Sequence, residues 1–169
     1  MDPALNPEAK RFLLSIPVFG ALPDRAADEL LELIQVRRHH PGEVVCTEGE
    51  PGREMFVVRS GLVEVTKQAE PEGPSTSLAR LGAGDCFGEM SLIDLQRRSA
   101  TVTACEETEL YVLSNKDFYT LYTYDPEGYT LVIMNICREI SRRLRSANNV
   151  IAGLLVRVEE YLRSNRELA

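Results

Sequence analysis

Between Val36 and Asn115 the chain alternates short β-rich runs with glycine and proline punctuation, a pattern that leaves few architectures open. The runs are Val44 to Thr47, Met55 to Arg59, Leu62 to Lys67, Ser77 to Leu81, Ser99 to Cys105 and Leu110 to Ser114. Several short strands at this spacing imply a sandwich or a jelly-roll barrel. The segment Glu70-Pro71-Glu72-Gly73-Pro74-Ser75-Thr76 is expected to be a hairpin tip. Helical patterns flank the β-rich region, so the class is α+β. Residues 7 to 35 hold two of them, separated by the turn-like Ile16-Pro17-Val18-Phe19-Gly20, with Pro23-Asp24 opening the second. No internal repeat is visible.

Within the β-rich region, Phe87-Gly88-Glu89-Met90-Ser91-Leu92 is followed, after five residues, by Arg98-Ser99-Ala100-Thr101-Val102. A glycine lets the backbone turn tightly, and the next residues can open a short helix whose free N–H groups face an anion. Arg98 supplies a planar fork of donors that matches phosphate oxygens. A carboxylate beside a phosphate is unfavourable unless it accepts hydrogen bonds from another part of the ligand, which gives Glu89 the opposite task. Anion donors plus one acceptor suggest a nucleotide. The plainer readings are a strand-start arginine on the surface and an acidic first-turn residue stabilising a short helix.

This cassette resembles the phosphate-binding cassette of cyclic-nucleotide-binding domains, found in catabolite-activator-type regulators, cAMP-dependent kinase regulatory subunits and cyclic-nucleotide-gated channels. A second signature stands upstream: Val45-Cys46, Gly49-Glu50-Pro51-Gly52, the run Met55-Phe56-Val57-Val58, and Gly61. It matches the hairpin that precedes the family's pocket. The chain departs from the commonest family pattern at Leu95 and Arg97, where glycine and proline are usual, while the Glu89-to-Arg98 spacing is kept. Leu95 would stiffen the exit of the short helix, and Arg97 adds a positive charge near the phosphate. The resemblance implies a cyclic-nucleotide-binding jelly-roll β-barrel with N-terminal helices and a long C-terminal helix. It further implies a pocket formed by Phe87, Gly88, Glu89, Met90, Ser91, Arg98, Ser99 and Ala100, with Glu89 on the ribose 2′-hydroxyl. Its ligand would be cAMP, or failing that cGMP, with no other cofactor.

Charge and residue usage narrow the partners. A formal net charge of −7 argues against broad nucleic-acid binding, which depends on neutralising phosphates with Lys and Arg. No apolar run approaches the ~20 residues of a membrane span. The start, Met1-Asp2-Pro3, lacks a signal-peptide pattern, so a cytoplasmic protein away from the membrane is expected. The four cysteines, Cys46, Cys86, Cys105 and Cys137, stand singly and are expected to be small buried hydrophobes rather than metal or redox groups. The only histidines, His39 and His40, are neighbours at a strand end and would point to opposite faces, so they are not expected to chelate together. No nucleophile–base pair or metal cluster emerges, and no enzyme activity is expected.

Beyond Asn115 the pattern is helical. Asp117 to Tyr122 forms a short helix, and Asp125-Pro126-Glu127 sets out cap, proline and early acid for a long one. Its apolar seam runs Ile133, Cys137, Ile140, Leu144, Ala147, Ile151, Leu154, Val158, Tyr161, spaced 4-3-4-3-4-3-4-3. Two outcomes fit: a two-fold dimer seam, or a helix whose first half covers the barrel and whose second half is private. Gly153 leaves room for a break. Arg138, Arg142 and Arg145 share one helical face, either solvated or in contact with ligand or a second subunit.

Catabolite-activator-type proteins carry an Arg-Arg-Leu segment on this helix, followed by residues that touch the base. Arg142-Arg143-Leu144 matches it and implies Ala147 and Asn148 at the base-reading positions. The bland reading of Asn148 is a solvated residue. The expected organisation is one domain, with residues 1–125 forming N-terminal helices and barrel and 126–169 the dimerisation helix. With Ala169 ending the chain, the expectation is a signal-transduction sensor, homodimeric, acting through a downstream protein. The alternatives are the effector half of a DNA-binding regulator without its winged-helix domain, and a ligand-free dimerisation scaffold.

Overall fold

The computed structural model of the chain describes residues 7–68, 73–94 and 96–166. Leu95, the middle of the hairpin tip and the N-terminal tripeptide singled out above lie outside these residues. Among the described residues the chain runs α1 (Pro7–Ser15), a 3-10 turn (Pro17–Phe19), α2 (Asp24–Leu33), β1 (Gln35–His39), β2 (Val44–Cys46), β3 (Glu54–Ser60), β4 (Val63–Gln68), β5 (Ser75–Leu81) and β6 (Cys86–Phe87). It continues through α3 (Met90–Ile93), β7 (Thr101–Ala104), β8 (Thr108–Ser114), α4 (Asn115–Tyr124) and α5 (Pro126–Arg166). The strands form two antiparallel sheets, ordered β1-β8-β3-β6 and β2-β7-β4-β5. This is the α+β fold with a β-barrel between helices that the punctuation implies.

Why Met55-Phe56-Val57-Val58 is a continuous apolar run follows from its two neighbours. Side chains alternate along β3, and both of its faces are covered. Phe56 and Val58 point into the barrel with Val63, Phe87, Val102, Leu110 and Val112. Met55 and Val57 point outward into a second core with Leu13, Leu30, Leu31, Leu121, Val132 and Ile136. β8 repeats the division, with Leu110 and Val112 inside and Tyr111 and Leu113 outside. The outer core therefore fastens α1, α2, α4 and the start of α5 to one sheet.

The helix ends follow their sequence signals. Ser114 and Asp117 form a reciprocal capping box at the start of α4, with Asp117 N–H donating to Ser114 Oγ at 3.3 Å and Ser114 N–H to Asp117 Oδ2 at 2.7 Å. The Asp125 carboxylate accepts from Gly128 N–H at 2.9 Å as α5 begins. α5 then passes through Gly153 without a break, so the room for a hinge there is not used.

Two strands have no counterpart among the expected runs. β1 carries Arg37, Arg38 and His39 and is held by pairing with β8 rather than by apolar burial. β6 has two residues and pairs only with Phe56 and Val57. The expected run from Ser99 begins at Thr101, and Ser99 and Ala100 belong to the bend before it. His39 and His40 face different carboxylates, His39 Nδ1 lying 3.5 Å from Glu43 and His40 Nδ1 2.8 Å from Glu107.

Candidate functional site

A cavity of about 410 Å³ opens between the β2-β7-β4-β5 sheet and α3. Its apolar wall is Val65, Ala79, Leu81 and Val102, and its polar floor is the segment from Phe87 to Ser91 with Arg98 to Ala100. The two sequence signatures meet at this floor through the backbone. Arg98 N–H donates to Glu50 O at 2.8 Å, Gly49 N–H donates to Arg98 O at 2.9 Å, and Pro51 bridges Arg97. The upstream turn is thus the clamp that fixes Arg98.

Arg98 is 8% exposed. Its Nη1 donates to Glu54 O at 2.8 Å and its guanidinium carbon lies 5.3 Å from the centre of the Phe56 ring. Phe56 in turn stacks on Phe87 at 4.9 Å, which makes the barrel core the platform beneath the guanidinium. Among the described residues no carboxylate pairs with Arg98. A buried cation without a counter-ion is a costly arrangement, and it prepares the floor for an anion.

Glycine is required at two points around this fork. Gly88 has φ +76°, and a Cβ there would sit 2.4 Å from Arg98 Nη1 and 2.8 Å from Glu54 O. A Cβ on Gly52 would lie 2.3 Å from Ser91 Oγ and 3.0 Å from Arg98 Nε. Both glycines bring backbone against the arginine where a side chain would displace it.

Glu89 is 4% exposed, and it does not stand alone. Arg143 of α5 donates from Nη1 to Glu89 Oε1 at 3.1 Å, from Nη2 to Cys86 O at 2.7 Å and from Nε to Glu139 Oε1 at 3.0 Å. Burial pushes the Glu89 carboxyl above its ordinary value, and Arg143 opposes that shift without cancelling it. Burial works against the Arg143 cation, but Glu89, Cys86 and Glu139 outweigh it and raise its pKa. The neighbouring Cys86 thiol is pushed up to about 12, chiefly by burial, which makes it an inert packing group. It is the one cysteine of the four that is fully buried as expected: Cys46 is half-buried, and Cys105 and Cys137 are exposed.

Phe87, Gly88, Glu89, Met90, Ser91, Arg98, Ser99 and Ala100 all line the cavity, and Arg97 lines it while donating to Gly49 O at 2.8 Å. Asn148 does not line it. It lies five residues beyond Arg143 on the exposed part of α5, rotated from it by about 140° at 3.6 residues per turn. In this structure Asn148 is exposed and stands outside the lining of its own chain's cavity.

Arg138, Arg142 and Arg145 are also absent from the lining: Arg138 donates to Asn135 Oδ1 at 2.7 Å, and Arg142 pairs with Glu139. The arginine that reaches the site is Arg143, which their shared face leaves out. The signal that finds it is the run Val132, Ile136, Glu139, Arg143, the face that continues from the buried core to the cavity floor.

The profile of the cyclic nucleotide-binding domain matches residues 36–125. The chain is similar to the cyclic AMP receptor protein of Thermus thermophilus, 36% identical over 78% of this chain and 59% of that protein. It is similar to a cyclic nucleotide-gated potassium channel of Rhizobium etli, 38% identical over 69% of this chain and 31% of the channel. The chain thus spans less than two thirds of each of these relatives. Among solved structures, the cyclic nucleotide-binding domain from Methylobacillus flagellatus superposes with a TM-score of 0.78 at 28% identity, covering 85% of this chain and 83% of that one. By name these relatives are a receptor protein, a gated channel and a binding domain. The profile runs through the turn that clamps Arg98 and through the sheet that walls the cavity, and on that ground the chain belongs to the cyclic nucleotide-binding domain family.

Proposed function

We propose that the chain is a cyclic-nucleotide sensor, with cAMP its first ligand and cGMP its second. The observation that carries the reading is Arg98, buried in the cavity floor on an aromatic platform with no carboxylate partner among the described residues. A cyclic phosphate supplies the missing monoanion. Glu89 has one oxygen on Arg143 and the other available to the ribose 2′-hydroxyl, and Val65, Leu81 and Val102 offer apolar surface to the sugar and base. Calorimetry with cAMP, cGMP and cyclic dinucleotides tests the assignment, with micromolar or tighter binding expected for a mononucleotide. Arg98→Ala should weaken it by about 2–5 kcal/mol, the size of truncating one partner of a buried charge pair. A loss below about threefold would put the phosphate elsewhere.

Output is read through α5. The exposed seam from Leu144 to Tyr161 supports a two-fold dimer, and Arg143 ties that helix to the cavity floor, so that ligand and helix position are coupled. The working unit is then a homodimer in the cytoplasm that passes its signal to a downstream protein. No described helix is long and apolar enough to cross a membrane. A second reading keeps the ligand and changes the output: the chain is the effector portion of a longer DNA-binding regulator. The 59% coverage of the Thermus relative favours it, and the genomic reading frame beyond Ala169 decides between them.

A further inference from the structure

Outside the nucleotide cavity, two hollows adjoin on the other side of the cassette. One, about 370 Å³, lies between Arg53, the cassette exit at Gln96 and Arg97, and Asn115 at the start of α4. The other, about 300 Å³, is floored by Leu92 of α3 and walled by Tyr119, Tyr122 and Tyr129. Asn115 lines both, so a basic hollow and an aromatic hollow meet at that residue, the two together being called the cleft.

Each part of this cleft lacks something. Arg97 donates only to Gly49 O, and among the described residues neither it nor Arg53 pairs with a carboxylate, in a chain whose net charge is −7. Tyr119 and Tyr122 are 67% and 50% exposed, with ring centres 6.3 Å apart. Asn115 Oδ1 is shut off from solvent with no donor. An acceptor left in that state is unfavourable, and exposed aromatic surface beside basic residues is the composition of a contact patch.

We propose that this cleft docks an extended segment of a partner protein. A carboxylate of the segment pairs with Arg53 and Arg97, and an aliphatic or aromatic side chain fills the tyrosine hollow. Two arginines suffice for one carboxylate and are too few for a nucleic-acid backbone. The cleft also shares its wall with the nucleotide cavity: Gln96 and Arg97 line both, and Leu92 follows directly on Ser91 in α3. Nucleotide and segment therefore press on the same cassette from opposite sides, and each alters the other's affinity by the same factor.

The test is fluorescence polarisation of the whole chain against labelled nine-residue peptides. Each peptide carries Glu at one position with Leu or Phe one to three residues on, matched to a set with Lys for Glu and to an oligouridine. Glu peptides should bind about tenfold more tightly than their Lys partners, and Arg53→Glu should reverse that preference. Tyr122→Ala should weaken the same peptides about fivefold. Calorimetry with cAMP should give the wild-type affinity for both variants, which separates this site from the nucleotide assignment. The proposal is overturned by equal binding of Glu and Lys peptides, by tighter binding of the oligouridine, or by no binding of any peptide at millimolar concentration. A change in light-scattering mass on Arg53→Glu without a change in peptide binding would instead make the cleft a contact between copies and overturn it as well.

Discussion

From Pro126 to Arg143, α5 is fastened to the molecule: Val132 and Ile136 are fully buried, Asn135 donates to the carbonyls of Val18 and Gly20 at 3.2 and 3.1 Å, and Arg143 bonds three groups at the cavity floor. From Leu144 to Leu162 the same helix touches none of the barrel's core, and Leu144, Ile151, Leu154, Leu155, Val158, Tyr161 and Leu162 are each more than half exposed. Both halves are amphipathic. What separates them is whether the apolar stripe meets a surface of the same chain, and periodicity alone does not carry that information. The division falls at Arg143, so the last residue fastened to the barrel is also the one that touches Glu89.

The largest expected effect lies in the free half. Leu154→Asp with Val158→Asp places unpaired charges in the proposed seam, at a cost on the order of 3–5 kcal/mol for each buried site. Light scattering should report about twice 18.9 kDa for the wild type and a single 18.9 kDa chain for the variant. A wild-type monomer at high micromolar concentration would break the comparison, because the exposed stripe would then need no partner. Ile140 is a poorer place for the charge than the seam spacing suggests. It packs partly against the outer core, so a charge there would also disturb the monomer.

Next comes the fastened half. Ile136→Ala removes a side chain with 0% exposure from the outer core and should cost about 2–5 kcal/mol in denaturant unfolding. Leu154→Ala, measured on the dissociated chain, should stay within about 0.5 kcal/mol. Equal losses would mean that the two halves are not energetically distinct.

The same contrast explains what was legible in the sequence. That Gly88, Glu89 and Arg98 meet at one cavity floor was legible because their spacing spans a tight turn, a short helix and a return to the sheet. The core strands could be found because β3 and β8, buried on both faces, leave unbroken apolar runs. β1 was hidden because pairing with β8 holds it and its side chains are polar, and β6 because two residues show no period. Arg143 was hidden for a different reason. The 4-3 seam through Ile133, Cys137 and Ile140 is the more regular pattern, yet Cys137 is exposed and the face one residue back, Val132 and Ile136, is the one buried. That face turns polar at Glu139 and Arg143, so an apolar count stops before the site.

Glu89 gives a smaller effect with a defined sign. Glu89→Gln, or a 2′-deoxy nucleotide on the wild type, should lose about 1–3 kcal/mol of binding through the altered pairing. Because burial raises the folded carboxyl above its unfolded value of 4.5, the folded state takes up this proton more readily than the unfolded one. Glu89 ionisation therefore weighs against stability at neutral pH, and that penalty is relieved as pH falls through the raised value. Nucleotide affinity moves the other way, since the carboxylate is the form that accepts the ribose hydroxyl. Unfolding of wild type and Glu89→Gln compared at pH 7.5 and 5 should show the wild type gaining on the variant at the lower pH, while calorimetry shows wild-type affinity falling. Parallel movement of both would remove Glu89 from the ligand.

The smallest effect tests the boundary itself. Asn148 lies in the free half and outside the lining of its own chain's cavity, so the proposed role in base recognition falls to the partner's helix. An amide pairs with the adenine N6 and N7 edge, whereas guanine offers two acceptors there. In the dimer, Asn148→Ala should reduce the cAMP-to-cGMP preference by about 0.5–1.5 kcal/mol, the worth of one ordinary hydrogen bond. In the Leu154→Asp, Val158→Asp background the same substitution should change nothing, because no second helix is present. Hydrogen exchange over α5 should follow the same rule, with ligand-induced protection of the free half blunted by Asn148→Ala in the dimer and absent from the monomer. A selectivity change in the monomer would show that Asn148 acts within its own chain, and the division of α5 at Arg143 would have to be redrawn.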